Sequence, residues 1–392
     1  MSVAEFLPAL PWAVPFLAFA RLADRRPALA TVPPANPHSH RVSVVIPARN
    51  EAATIETVVR SALASAHGDF EVIVVDDRST DETASIVSRL AGDDPRLRLV
   101  HGAELPAGWY GKPWACVQGW RAATGDVLLF TDADTRHEPM LLPHALGALE
   151  ARRGDLITVN PHQRCVTFWE RVIMPQVWLL LGVRYHPRTV SRARRARDVI
   201  ANGQFILLRR STYEEIGTHA AVRHEVAEDL ALAQVVHARG QHVWFAFATE
   251  LMETRMYHDL PHIVEGWSKN LYMGGRRSFP DEPLLAALVP LALGGAMAFW
   301  LLPFVALVLL FAGVLSAAML APVLAAIGIS LVFWALVSAG MRIPPWYAFA
   351  YPLGAFALLY IVFRSTWRGA ARIEWKGRSY GAGQAEAEGR SR

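Results

Sequence analysis

The sequence predicts an α/β domain on a mostly parallel sheet, with transmembrane helices at the N-terminus and C-terminus. Three observations predict it. Short apolar runs alternate with amphipathic helical patterns from Val42 to Ala248, the rhythm of a parallel sheet with right-handed crossovers. From Leu284 through Met341 there are 58 residues without Asp, Glu, Lys or Arg. That is room for two bilayer-spanning helices of roughly 20 residues, or three very tight ones. Val127–Phe130 is wholly apolar and runs into Thr131-Asp132-Ala133-Asp134, which reads as a buried strand with two acids at its carboxyl end.

The membrane reading fits the composition. The chain is 53% hydrophobic, too apolar for an ordinary soluble protein of its length. Residues 1–20 are expected to form an N-terminal transmembrane anchor, although Val3–Ala20 contains Glu5 and three prolines. Its arginines (Arg21, Arg25, Arg26) come after the apolar part, so it reads as retained rather than as a cleaved signal. They also place residues 21 onward in the cytoplasm. Residues 21–40 read as a Pro-rich linker, 41–280 as the α/β domain, 281–363 as three or four further spans and 364–392 as a basic tail. The expected location is the cell (inner) membrane, multi-pass, with the α/β domain cytoplasmic. The tail's Arg364, Arg368, Arg372, Lys376 and Arg378 favour the same side. An outward N-terminus and three later spans would put them on the other, so either a fourth span is present or one segment is re-entrant. Two cysteines, Cys116 and Cys165, form no disulfide framework. The net charge of +4 is small, and the arginines gather beside apolar segments. The expected partner is therefore a bilayer surface with anionic lipid, and not nucleic acid.

In order, Val42–Ile46 is a first strand ending in Pro47-Ala48-Arg49-Asn50-Glu51, and a helix runs on from about Glu51 to Ala66. Phe70–Val75 is a second strand, ending in Asp76-Asp77. Ser79 and Glu82 are spaced as a capping box for the next helix. Leu97–Val100 is a third strand. A helix opens near Lys112, the central strand comes next, and then a helix runs over Pro139–Ala151 and a strand over Leu156–Val159. Asn202–Leu208 and Val243–Ala248 read as further strands. Val172–Gly182, with six arginines after it up to Arg197, reads either as an interfacial segment or as a core helix with a basic loop.

Asp132 and Asp134, one residue apart at a strand's carboxyl end, can hold a hard divalent cation, which in turn can hold a diphosphate. Ligands bind at that end of open α/β sheets. A plain turn is the alternative. Glycine-rich phosphate loops are missing from the sequence, so a nucleotide would have to be held by carboxylates and a metal. Lys112 at a helix start can meet a phosphate, or be a solvated lysine. Glu228 and Asp229 also fall at a helix start, where the dipole favours the ionised form; first-turn capping is the alternative.

The series Pro47-x-x-Asn50-Glu51, Asp76-Asp77-x-Ser79-x-Asp81, Lys112, Asp132-x-Asp134 and Glu228-Asp229 resembles the family 2 glycosyltransferases of GT-A fold, over about residues 41–270. Trp109–Lys112, Arg255-Met256-Tyr257, Glu265-Gly266-Trp267 and Glu374–Tyr380 are similar to the membrane-bound 4,4'-diaponeurosporenoate and hopanoid-associated glycosyltransferases. Processive synthases carry Q/R-x-x-R-W, of which only Trp267 is present, so single-sugar transfer is expected. The resemblance implies an inverting enzyme that takes a nucleotide-diphosphate sugar, with UDP expected, to a membrane lipid such as a carotenoid or other terpenoid. On this view Pro47, Ala48, Asn50 and Glu51 line the nucleoside pocket, and Asp77 or Asp76 accepts from the uracil N–H. Asp134, with Asp132, binds Mg²⁺ or Mn²⁺, and Ala133 and Lys112 lie on the donor side. Asp229 is the base and Glu228 its helper, with Arg255 and Trp267 toward the acceptor. His258 is a candidate third metal ligand or a structural histidine. Transfer to a polyprenyl phosphate, and a non-catalytic membrane subunit with a decayed transferase domain, are the competing readings.

Overall fold

The computed structural model describes residues 3–151, 153–368, 372–375 and 378–381. The N-terminal stretch is a tight helix over Val3–Ala13 and an α-helix, α1, over Val14–Leu22. Then come β1 (Val42–Ala48), α2 (Ile55–Leu63), β2 (Phe70–Asp76), α3 (Thr83–Asp93), β3 (Leu97–His101) and α4 (Gly111–Ala122). After them come β4 (Val127–Phe130), β5 (Thr135–His137), α5 (Leu141–Glu150), β6 (Leu156–Asn160) and β7 (His162–Gln163). Next are α6 (Phe168–Arg184), α7 (Pro187–Val190), β8 (Ile206–Arg209), α8 (Arg210–Glu215), α9 (Glu228–Ala238), β9 (Val243–Phe247) and β10 (Met252–Thr254). Amphipathic helix α10 (Leu260–Arg277) packs with the apolar helices α11 (Pro283–Phe311), α12 (Leu320–Gly340) and α13 (Tyr351–Arg368), and the hairpin β11 (Arg372–Trp375) and β12 (Arg378–Gly381) comes last. Of the expected basic tail, residues 369–371, Lys376, Gly377 and residues 382–392 lie outside the described residues.

The main sheet has the order β3-β2-β1-β4-β8-β6-β9, with only β8 antiparallel to its neighbours. Strands β2 and β4 are buried along their whole length, as continuous apolar runs require when helices cover both faces. Successive residues of β1 point to opposite layers. Val44 and Ile46 pack with Val58 and Leu146 on one face, and Val45 packs with Ala115 and Leu230 on the other. A second sheet, β5-β10-β7, was not expected from the sequence. Its strands are two or three residues long, too short to carry a periodic signal.

Local corrections arise from side-chain competition. Helix α2 begins at Ile55 rather than Glu51. The expected Ser79–Glu82 capping box does not form: Asp81 accepts the Thr83 N–H at 3.0 Å, and Ser79 Oγ accepts the Asn50 N–H. A capping box does form at Thr167 and Glu170, opening α6. Asn202–Phe205 is a turn, and the strand starts at Ile206.

Among the described residues, three segments are long and apolar enough to cross a membrane: Pro283–Phe311, Ala317–Gly340 and Pro345–Arg368. The N-terminal apolar helix, Phe6–Leu17, is shorter than a span. Trp12 stacks on Phe299, and Phe16 meets Phe333 edge-on. The charge-free run therefore makes two helices, α11 and α12. Residues 345–350 turn back along α12, so that Tyr351 donates to Trp300 O and Ser330 Oγ at mid-length of both helices. Helix α13 then returns to the end where α11 starts: Arg364 and Arg368 pair with Glu265 of α10 at 2.8 and 2.7 Å.

Candidate active site

The loops at the carboxyl ends of β1, β2 and β4 are stitched together before any ligand is considered. Asn50 has φ of 53°, a left-handed conformation that Asn tolerates better than most residues. Its Oδ1 accepts the Thr80 N–H at 2.8 Å. Arg49 donates to the carbonyls of Asp77 (2.6 Å) and Arg78 (2.9 Å), and the Asp77 N–H donates to Ala48 O at 2.7 Å. The turn after β1 and the turn after β2 thus form one rigid ledge.

Across from it, Lys112 stands in the first turn of α4. Its Nζ lies 2.7 Å from Asp132 Oδ1 and 2.7 Å from Glu228 Oε1. One ammonium thereby ties the end of β4 to the start of α9. Burial disfavours its charge, but Asp132, Glu228 and Asp229 outweigh that and hold its pKa well above the ordinary lysine value. Asp229 Oδ2 accepts the Gly203 N–H at 2.9 Å, and its Oδ1 accepts the Leu230 N–H at 2.7 Å. Burial first, and then the charge of Glu228, push the Asp229 carboxyl up to about 6, against the pull of Lys112 and these two N–H groups. A carboxyl poised near neutrality is suited to taking a proton.

Asp134 is joined to the second sheet: its carbonyl accepts from the Thr254 hydroxyl at 3.2 Å and the Arg255 N–H at 3.3 Å. The Arg255 guanidinium is held by both oxygens of Glu170, at 2.9 and 3.1 Å. Glu170 itself is almost wholly buried.

These groups line one cavity of about 1300 Å³. Pro47, Asn50, Glu51, Lys112, Asp132, Ala133, Asp134, Glu228 and Asp229 all line it, with Lys112 joining Asp132 to Glu228. Arg255, Trp267 and His258 also line it. Trp267 is mostly buried, its N–H directed at Met174 Sδ 3.4 Å away. Ala48, Asp76 and Asp77 are not in the lining; they are buried in the ledge behind Arg49. The cavity continues away from the acids into an apolar limb between α6, α10, α11 and α13, walled by Leu181, Leu293, Met297, Leu358 and Val362.

Among the described residues no three His, Cys, Asp or Glu side chains form a metal cluster. A magnesium-type site on a nucleotide does not need one, because one or two carboxylates suffice when phosphates supply the remaining oxygens. Asp132 and Asp134 both line the cavity and supply the one or two carboxylates of that donor set, with Asp132 also paired to Lys112.

Three contributors escaped the sequence reading. Arg49 locks the ledge. Glu170 is distant in sequence from everything it serves. Gly203 is needed because a Cβ there would lie 2.7 Å from Lys112 Nζ and 3.2 Å from Asp229 Oδ2. Its signal was present: Asn-Gly is a turn dipeptide.

The mostly parallel sheet with an acid-lined cleft at its carboxyl ends is of the GT-A type. Residues 43–229 match the family described as glycosyl transferase family 2. Curated relatives agree. The chain is 26% identical over 255 residues to a 4,4'-diaponeurosporenoate glycosyltransferase of Staphylococcus haemolyticus, covering 63% of this chain and 65% of the relative. It is 32% identical over 135 residues to an undecaprenyl-phosphate 4-deoxy-4-formamido-L-arabinose transferase of an Enterobacter species, covering 34% and 40%. It is 40% identical over 119 residues to glycosyltransferase AglD of Haloferax volcanii, covering 29% and 18%. The chain therefore spans less than two thirds of the length of each of these relatives. Among solved structures, a mannosyltransferase from Pyrobaculum calidifontis, in complex with GDP-Man and Mn²⁺, aligns over 93% of this chain and 99% of its own. The TM-score is 0.55 at 20% identity, a likeness of fold.

Proposed function

We propose that this protein is an inverting glycosyltransferase that moves a single sugar from a nucleotide-diphosphate sugar, with UDP as the expected nucleotide, to a membrane lipid of the carotenoid or terpenoid class. The observation that carries the reading is the single cavity with two unlike ends: acids and a lysine at one, aliphatic side chains of candidate membrane helices at the other. A water-soluble donor and a bilayer-soluble acceptor can meet only in such a place.

The donor diphosphate lies over Asp132, Ala133 and Asp134, with the nucleoside along Pro47, Asn50 and Glu51. Ala48, Asp76 and Asp77 support that wall from behind, so the uracil contact expected of Asp77 or Asp76 requires the ledge to open. Asp132 and Asp134 would hold a divalent cation, Mg²⁺ or Mn²⁺, and such an ion would supply positive charge to the diphosphate. Lys112 adds a fixed positive charge on the same side. Asp229 removes the proton of the acceptor hydroxyl, whose oxygen forms the new bond to the anomeric carbon. The bond from that carbon to the phosphate oxygen breaks, its electron pair leaves with the nucleoside diphosphate, and in-line attack inverts the configuration. Glu228 keeps Lys112 in place and raises the basicity of Asp229. Arg255 and Trp267 sit toward the acceptor. The domain works on the cytoplasmic face of the inner membrane.

A second reading, transfer to a polyprenyl phosphate, draws on Arg255 and Arg342, two cations in the cavity lining. A phosphate acceptor has no proton for Asp229 to take, so full turnover by Asp229→Asn would select it. The direct test is to incubate membranes with labelled UDP-glucose and identify the labelled lipid by mass spectrometry. Label in lipid, abolished by a chelator and by Asp134→Ala, is the expected result. Donor binding that survives both would remove the metal from the scheme, and no labelled lipid with any nucleotide sugar would sink the proposal.

A further inference from the structure

The arginine-rich segment after α6 is not used by the chemistry above, and its position in the fold is specific. His186 Nε2 lies 3.0 Å from Asp24 O, and Arg188 pairs with Asp24 Oδ2 at 3.1 Å, just beyond the end of α1. The neighbouring Arg25 donates to Gly340 O at 2.7 Å, the last residue of α12. Arg184 donates to Ser278 O at 3.3 Å, and Arg197 pairs with Glu282, immediately before α11. The ends of α1, α6 and α12 and the start of α11 therefore meet at one level. An antiparallel pair such as α11 and α12 enters and leaves the apolar region at a single face, so this level is the boundary between apolar bundle and water.

At that boundary six arginines (Arg184, Arg188, Arg192, Arg194, Arg195 and Arg197) stand near three carboxylates. Asp24 is taken by Arg26 and Arg188, Asp198 by Arg184, and Glu282 by Arg197. Arg192, Arg194 and Arg195 are exposed and have no ion pair among the described residues. They line a surface cleft of about 520 Å³ together with Asp24, His186 and Asp198. Unanswered guanidiniums at a bilayer boundary meet lipid phosphates, and planar Arg forks suit phosphate oxygens.

We infer that the Arg192–Arg195 cleft is a binding site for anionic phospholipid headgroups, seating the α/β domain on a negatively charged leaflet. The cleft adjoins the sugar-transfer cavity, with His186 lining both, but Arg192, Arg194 and Arg195 line only the cleft, and the inference stands whether or not the transferase reading does.

The test uses the full chain in detergent, titrated with phosphatidylglycerol or phosphatidylcholine and read by native mass spectrometry. Retention of phosphatidylglycerol over phosphatidylcholine is expected by about tenfold or more, shrinking as NaCl is raised because exposed charges are screened. The combined variant Arg192→Ala, Arg194→Ala, Arg195→Ala loses the preference, and the triple Lys variant keeps most of it. Equal preference in the wild type and the Ala variant would overturn the inference. So would displacement of phosphatidylglycerol by inorganic phosphate but not by NaCl of equal ionic strength, which marks a free-phosphate site. If the Ala variant does not fold, a wild-type preference unmoved by salt counts against the inference in the same way.

Discussion

At the polar end of the cavity Lys112 is gripped by two carboxylates at 2.7 Å each, and Asp229 by two N–H groups. At the apolar end Leu181, Leu293 and Leu358 merely share a wall. The first arrangement is directional, and every partner is answered by a particular atom. The second rests on volume and hydrophobicity, which have no direction. The contrast implies different tolerances: the acid end should fail on single-atom changes, and the lipid end should respond only to changes of shape.

Asp229→Asn offers the sharpest break. It keeps the size of the side chain and removes the base, so turnover should fall about 10²–10⁴-fold with little change in KM for the nucleotide sugar, measured with labelled donor and extracted lipid. Lys112→Met should cost about 10²–10³-fold. It also leaves Asp132 and Glu228 without their shared cation, so Lys112→Arg, longer and forked, should not restore the rate. Gly203→Ala should lower turnover by up to about 10²-fold with a nearly unchanged melting temperature, because the new methyl displaces Lys112 and Asp229 rather than the core.

Asp229 must be ionised to act, so kcat/KM should drop about tenfold per unit as pH falls below about 6 and be level above it. Asp229→Asn should lack that limb. The same shift acts on stability in the opposite sense. The folded pKa lies above the unfolded value of 3.8, so the folded state keeps a proton that the unfolded chain loses. This group favours folding below that value, and its contribution is lost as pH rises to about 6. At the apolar end Leu181→Trp narrows the limb. KM for the lipid should rise several-fold while the wild-type turnover of a short, water-soluble acceptor is retained, and an unchanged lipid KM would place the acceptor elsewhere.

The strands of the sheet were legible because buried parallel strands leave continuous apolar runs, as at Val127–Phe130. The cavity walls at Asp132, Asp134, Glu228 and Asp229 were legible because their residue types and order carry chemistry. Glu170 was not: a buried acid that holds Arg255 from 85 residues away has no local signature. The Ser79–Glu82 spacing misled for a related reason. Capping is a competition, and Asp81 was nearer to the Thr83 N–H once Asn50 had engaged Ser79. Asp77 or Asp76 was expected to accept from the uracil N–H, yet both are buried and the Arg49 guanidinium closes over that turn.

Periodicity and composition by themselves determined the α/β layering, the apolar helices and the identity of the acids, since each is set by residues near one another in the chain. Only the tertiary structure decided that Lys112 bridges Asp132 and Glu228, that α13 turns back to meet Glu265, and that the acid cleft opens into an aliphatic limb. Those are contacts between segments tens to hundreds of residues apart. Their geometry depends on how whole layers pack, and no window of sequence contains it.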